Sequence, residues 1–211
     1  MIRKIAALLI VTLGFSAYAS AQNFEGIIEF KKQIGKNSTD YVYYVKGDKV
    51  RIDEFSPGTR TVEGSFILDT KANTMIYLNV ARKMWGTRKP TGTSVAPAGC
   101  VASTTKATKE IFGYKCAEQL VSNKTDSTQI SFFIAPGKFA FFAPMVKLLN
   151  RQEKFSTYLL AVTLKAGSMP LLAIEKDLTG VEKGRLEVTR LEQKVLTTDL
   201  FDTPKDYTEV K

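Results

Sequence analysis

Residues 40–54 read Asp-Tyr-Val-Tyr-Tyr-Val-Lys-Gly-Asp-Lys-Val-Arg-Ile-Asp-Glu. Two runs rich in aromatic and β-branched residues flank Gly47-Asp48, a dipeptide that suits a two-residue hairpin turn. In the second run Val50 and Ile52 alternate with Lys49, Arg51 and Asp53, the period-2 pattern of a half-buried strand. In the first, Tyr41, Tyr43 and Val45 point one way and Val42 and Tyr44 the other, so both faces are apolar.

The same texture continues outward. Residues 24–32 alternate, with Phe24, Gly26, Ile28 and Phe30 on one side. Residues 65–69 and 74–79 read as another hairpin, and 83–87 as a short strand. Residues 109–114 and 115–122 read as strands meeting at Gly113, and 127–135 as a strong strand after a turn. Residues 171–178 and 185–196 complete the set, and the alternation of the last changes near Thr189-Arg190, the mark of a bulge. The turn at 35–39 is polar, and 89–107, rich in Pro, Gly, Ser, Thr and Ala, reads as an irregular exposed connection. Many short strands separated by turn signals predict a mainly β chain built as an antiparallel sheet, sandwich or barrel. Two stretches break the pattern. Residues 138–149 carry Phe139, Phe141, Phe142, Met145, Val146, Leu148 and Leu149, and read as a short helix begun or kinked at Pro144. Residues 155–164 read as helix or strand.

The first residues are set apart. Arg3 and Lys4 precede an apolar run from Ile5 to Phe15, and Ala19-Ser20-Ala21 offers the small residues of a cleavage site. The run is shorter than the ~20 residues that span a bilayer. The expectation is a signal peptide over 1–21 and a single exported domain over 22–211, in the periplasm or associated with the outer membrane. The chain carries a net charge of +9, which falls to +7 when Arg3 and Lys4 leave. Its cations are dispersed, so a solvated surface or a peripheral contact with anionic membrane is expected and nucleic acid is not.

Histidine is absent. That removes Ser-His-Asp and Cys-His catalysis, and with two cysteines it leaves no usual zinc site. Asp53 and Glu54 are adjacent and so face opposite ways on a strand. Asp199 and Asp202 suit capping and turns. No phosphate-binding loop, dinucleotide fingerprint or nucleophile elbow occurs. The chain is therefore expected to bind rather than catalyse, without cofactor or metal. Cys100 and Cys116 would be bridged in an oxidising compartment, stabilising by roughly 3 kcal/mol, or would be two free thiols with Cys116 buried.

Strands apolar on both faces need a second cover: a helix, a ligand or a partner chain. The candidate lining of an apolar cavity is Tyr43, Val45, Ile76, Leu78 and Phe132 on the strands. The Phe-rich segment would cover it with Phe139, Phe142 and Met145. The expected occupant is a lipid, an acyl chain of a lipoprotein or another apolar ligand. The alternative is an envelope protein partner on the same face.

Several short motifs carry a resemblance. In order they are Gly47-Asp48-Lys49-Val50-Arg51-Ile52, Ile67-Leu68-Asp69, Met84-Trp85, Gly113-Tyr114-Lys115-Cys116, Met169-Pro170-Leu171 and the Phe201–Tyr207 stretch. This ordered set resembles an uncharacterised family of secreted Gram-negative proteins, a domain of unknown function. More distantly, the N-terminal half is similar to the periplasmic lipoprotein carrier LolA. Arg51 matches a strand arginine of that carrier, Asp69-Thr70-Lys71 stands for its Asp-Gly turn, and Ile76-Tyr77-Leu78 for its aromatic strand. The likeness implies a curved antiparallel sheet, an open half-barrel with one or two covering helices around an acyl cavity. It also implies that Arg51 latches the lid.

Overall fold

The computed structural model describes residues 23–89 and 92–210; the expected signal peptide lies outside them. Among these residues the strands are β1 (Gly26–Ile34), β2 (Asn37–Lys46), β3 (Lys49–Phe55), β4 (Val62–Asp69), β5 (Thr74–Asn79) and β6 (Met84–Thr87). After a long connection come β7 (Val101–Ile111), β8 (Tyr114–Asn123) and β9 (Thr128–Ala135). Helices α1 (Phe142–Leu149) and α2 (Lys154–Leu159) precede β10 (Met169–Asp177), β11 (Glu182–Gln193), a 3-10 turn at Thr198–Phe201 and β12 (Thr208–Glu209).

All twelve strands form one sheet in the order β12-β6-β5-β4-β3-β2-β1-β11-β10-β9-β8-β7. The chain meanders from β1 to one edge, crosses to the other, and meanders back until β11 pairs with β1. Every pairing is antiparallel except β12 with β6. The sheet is open, since its terminal strands β12 and β7 do not pair with each other. It is also curved. A flat sheet would set β6 and β7 about 48 Å apart, ten spacings of ~4.8 Å. The connection through residues 88–100, fully stretched, spans only about 45–50 Å. It is not stretched straight: the Ser94 amide donates to Asn150 Oδ1 at 2.6 Å, and Gln152 Nε2 donates to Ser94 Oγ at 2.6 Å. A sheet curved around the helices accommodates those contacts.

The strand boundaries follow the alternation closely, with two instructive differences and one bulge where the alternation expects it. The turn between β1 and β2 is only Gly35-Lys36, because Asn37 to Thr39 pair with Lys32 to Ile34. The bulge falls where the alternation breaks: Glu29 faces Arg190 and Phe30 faces Val188, leaving Thr189 as the extra residue. The segment read as irregular over 89–107 turns into strand at Val101. β7 is an edge strand, exposed over nearly its whole length, and its Ser, Thr and Lys residues have no apolar face to alternate. It also carries lysines and an irregularity between Thr104 and Thr108, both of which blunt edge-to-edge association.

Both faces of the N-terminal half are covered, by different elements. Val45, Val50, Ile52 and Leu68 join the main core beneath the helices. The reverse face forms a second cluster of Ile27, Ile67 and Leu78, closed by Leu196 and Phe201 of the C-terminal segment. That segment is pinned by Glu25 Oε1, which accepts from the Leu196 amide (2.9 Å) and from Lys46 Nζ (2.8 Å). Lys46 Nζ also donates to the Leu196 carbonyl at 2.6 Å.

Cys100 and Cys116 do not bridge. Val101 pairs with Ser122, which places Cys100 level with Asn123, seven residues along β8 from Cys116. At ~3.3 Å per residue the gap is about 23 Å, whereas a disulfide needs Cα atoms within ~7 Å. Cys116 is wholly buried, and burial pushes its thiol up to about 11. Full denaturation without reductant is therefore expected to release two titratable thiols per chain. In the native protein at pH 8 Cys116 should be silent to a thiol reagent; zero thiols after denaturation would refute this arrangement.

Candidate functional site

The site is assembled between the curved sheet and the two helices. Pro144 is the third residue of α1, where a missing N–H leaves no intrahelical bond unmade, so the helix starts despite it. Phe142, Met145 and Leu148 fall on the buried face. Asn150 ends the helix in the left-handed conformation (φ 47°), which asparagine tolerates better than most residues, and its amide donates to the Val146 carbonyl at 3.1 Å. Its side chain then holds the crossing segment, accepting from Ser94 and donating to the Gly92 carbonyl.

Beneath the helices lies an apolar cavity of about 80 Å³. Its floor is Phe30, Tyr43, Phe132, Ala173 and Leu186, from five strands. Its roof is Phe142, Met145, Val146 and Leu149 of α1 with Phe155 and Leu159 of α2. Roughly 10–15 Å³ of such space takes one water, so the cavity holds a few waters or a short stretch of hydrocarbon.

Its rim is polar and comes from Arg151 and Glu153 in the link between the helices, next to Lys154, the first residue of α2. Arg151 pairs with Glu54 of β3, and its guanidinium lies 5.6 Å from the Tyr41 ring centroid and 5.8 Å from that of Phe66. Glu153 accepts from Lys32 Nζ of β1 at 2.7 Å, and Lys154 Nζ donates to Glu175 of β10 at 2.6 Å. Three charged contacts thus tie the link and the start of α2 to three separate strands. Burial works against the charge on Arg151, but the Glu54 and Glu153 carboxylates beside it raise its pKa. Burial pushes the Tyr43 hydroxyl up to about 12, so it stays neutral. No group of three or more His, Cys, Asp or Glu side chains able to hold a metal occurs among the described residues.

Of the expected lining, Tyr43, Phe132, Phe142 and Met145 stand around the cavity. Val45 and Phe139 belong to the same core but are completely enclosed, away from the cavity wall. Ile76, Leu78 and Arg51 are corrected. Ile76 and Leu78 lie on the reverse face, under the C-terminal segment. Arg51, on that face too, donates from Nε to Asp53 Oδ1 at 2.8 Å and from Nη1 to the Leu200 carbonyl at 3.4 Å. It holds the tail rather than a helical lid. The arginine at the helices is Arg151, which lies in a polar link whose spacing carries no periodic signal. Glu54, Lys32 and Glu175, which anchor the link, are single charges on otherwise apolar strand faces, and that is the one hint the sequence contains.

No curated protein matches this chain. Among solved structures it is similar to an uncharacterised conserved protein from Thermus thermophilus, at 10% identity and a TM-score of 0.47, covering 88% of this chain and 90% of that one. It is also similar to a chain of the MucA/MucB complex of Pseudomonas aeruginosa, at 10% identity and a TM-score of 0.47, covering 90% of this chain but 59% of that one. A putative outer membrane lipoprotein-sorting protein domain from Vibrio parahaemolyticus matches at 9% identity and a TM-score of 0.35, over 87% of this chain and 91% of that one. The family model spans residues 24–207, nearly all of the described structure, and the chain belongs to the DUF4412 family, a domain of unknown function.

Proposed function

We propose that this protein is an exported binding protein of the cell envelope that takes an apolar chain into the cavity between sheet and helices, and that it works by binding rather than catalysis. The observation that carries this reading is the cavity's construction. Its floor and roof are apolar, while the roof is fastened at its mouth by exchangeable charged contacts. The basic–apolar–small pattern of residues 1–21 supports an envelope location. At about 80 Å³ the cavity is smaller than ordinary ligand pockets of ~300–1,000 Å³, so binding would lift the helices rather than fill a finished hole.

The test is titration of the delipidated protein with a fluorescent fatty-acid probe. Saturable binding is expected, and Ala173→Phe, which projects a ring from the cavity floor, should weaken it at least tenfold. Absence of binding by any acyl probe would overturn the proposal. The small cavity favours one second reading, in which the same helices dock an envelope protein partner. A co-purifying protein, with no acyl chain detected by native mass spectrometry, would select it.

A further inference from the structure

The apolar cavity has a charged neighbour. A wider cleft of about 380 Å³ is lined by Glu54, Phe66, Met75, Arg88, Lys89 and the 149–152 turn. Arg151 and Leu149 belong to both walls, so a ligand passing from one space to the other crosses the Arg151 side chain. The cleft carries three cations, Arg88, Lys89 and Arg151, against the single carboxylate of Glu54. Arg88 and Lys89 are exposed and make no ion pair among the described residues. The Arg88 backbone is nonetheless fixed, its amide donating to the Met75 carbonyl at 2.8 Å. Arg151 gives Nη2 to Glu54 and, with five N–H donors in its fork, keeps others for an incoming anion. Apolar space on one side of a guanidinium and unbalanced positive charge on the other is the outline of an amphiphile. The small cavity volume suits one hydrocarbon chain rather than two.

We propose that the ligand is a single-chain amphiphile with an anionic head, its chain in the apolar cavity and its carboxylate or phosphate among Arg88, Lys89 and Arg151. This deepens the binding reading above and rests on it. The head exchanges with Glu54 for Arg151, and so loosens one of the three contacts that fasten the helices; entry of the chain and release of the roof are then the same event.

The test compares three ligands of one chain length on the delipidated protein: dodecanoate, dodecyl phosphate and neutral monododecanoylglycerol. At least one anionic ligand is expected to bind tenfold or more tighter than the glyceride. Raising the salt from 50 to about 500 mM should shrink that ratio, since exposed charges are screened within a few ångströms there. R88Q/K89Q should bring it towards one. Tighter binding of dodecyl phosphate than of dodecanoate, or the reverse, supports the proposal and names the head. Equal affinity for the glyceride and both anions would overturn it while leaving the apolar-ligand reading intact. Failure of all three ligands to bind would overturn both. A preference for anions that survives R88Q/K89Q undiminished would also refute the placement of the head.

Discussion

Phe139→Ala is expected to destabilise the protein by about 3–5 kcal/mol, as large-to-small changes of a buried phenylalanine do. Phe139 is completely buried, with ring centroids of Phe24 at 5.6 Å, Tyr114 at 5.4 Å and Phe141 at 6.4 Å. Those rings come from the approach to β1, from β8 and from the entry to α1, so the cavity left behind touches three elements that cannot collapse together. The backbone ties are made here as well: the Phe24 amide donates to the Lys138 carbonyl and the Phe139 amide to the Gly167 carbonyl, both at 2.8 Å. For a domain of this size the loss corresponds to a fall in Tm on the order of 10 °C. Differential scanning calorimetry would measure it, with Phe139→Leu expected to lose less than half as much. A fall of under about 2 °C for the alanine variant would mean that the aromatic cluster is not packed as described.

Arg51→Met should cost about 2–4 kcal/mol and free the C-terminal segment. Asp53 is only 5% exposed, and its carboxylate is satisfied by Arg51 Nε and by the Ser65 hydroxyl at 2.6 Å. Removing the arginine leaves a buried carboxylate with one neutral donor. Breaking a fully buried pair costs about 3–5 kcal/mol, and the surviving Ser65 bond puts this case somewhat lower. The Leu200 carbonyl loses its donor at the same time. Trypsin cleavage after Lys194 and Lys205 should therefore accelerate, while uptake of a fatty-acid probe under the helices should change little. The double variant R51M/D53N, which removes the stranded charge, should recover much of the stability. Were Arg51 instead the latch of the helical lid, R51M would alter probe uptake and leave the tail's proteolysis unchanged.

These two residues mark the division between what was legible in the sequence and what was not. The strands, the Gly47-Asp48 hairpin and the Thr189 bulge were legible because alternation and turn chemistry act over a few residues. Gly47 takes φ 59°, as such a turn needs, whatever the rest of the chain does. The Phe-rich helix was legible for the same reason, and with it Tyr43, Phe132, Phe142 and Met145 as cavity residues. Of β7 only the end from Lys109 was; its first part was not, because an exposed edge strand has no buried face and so no period.

Local residue patterning makes the chain mainly β, puts apolar residues on both faces of its strands, and supplies an apolar segment with helical character to cover them. Which face receives which cover is set by long-range packing. The helices close the inner face, and the segment from Lys194 to Tyr207, held by Glu25, Lys46 and Arg51, closes the outer one. Period-2 alternation says that two residues lie on opposite sides of a strand, but is indifferent to which side is inside. That choice is made by sheet curvature and by contacts between residues more than a hundred positions apart, such as Lys32 with Glu153 and Arg51 with Leu200. Arg51 and Arg151 are the same side chain on either face of one sheet, and their partners, not their local sequence, give one a tail to hold and the other a cavity mouth.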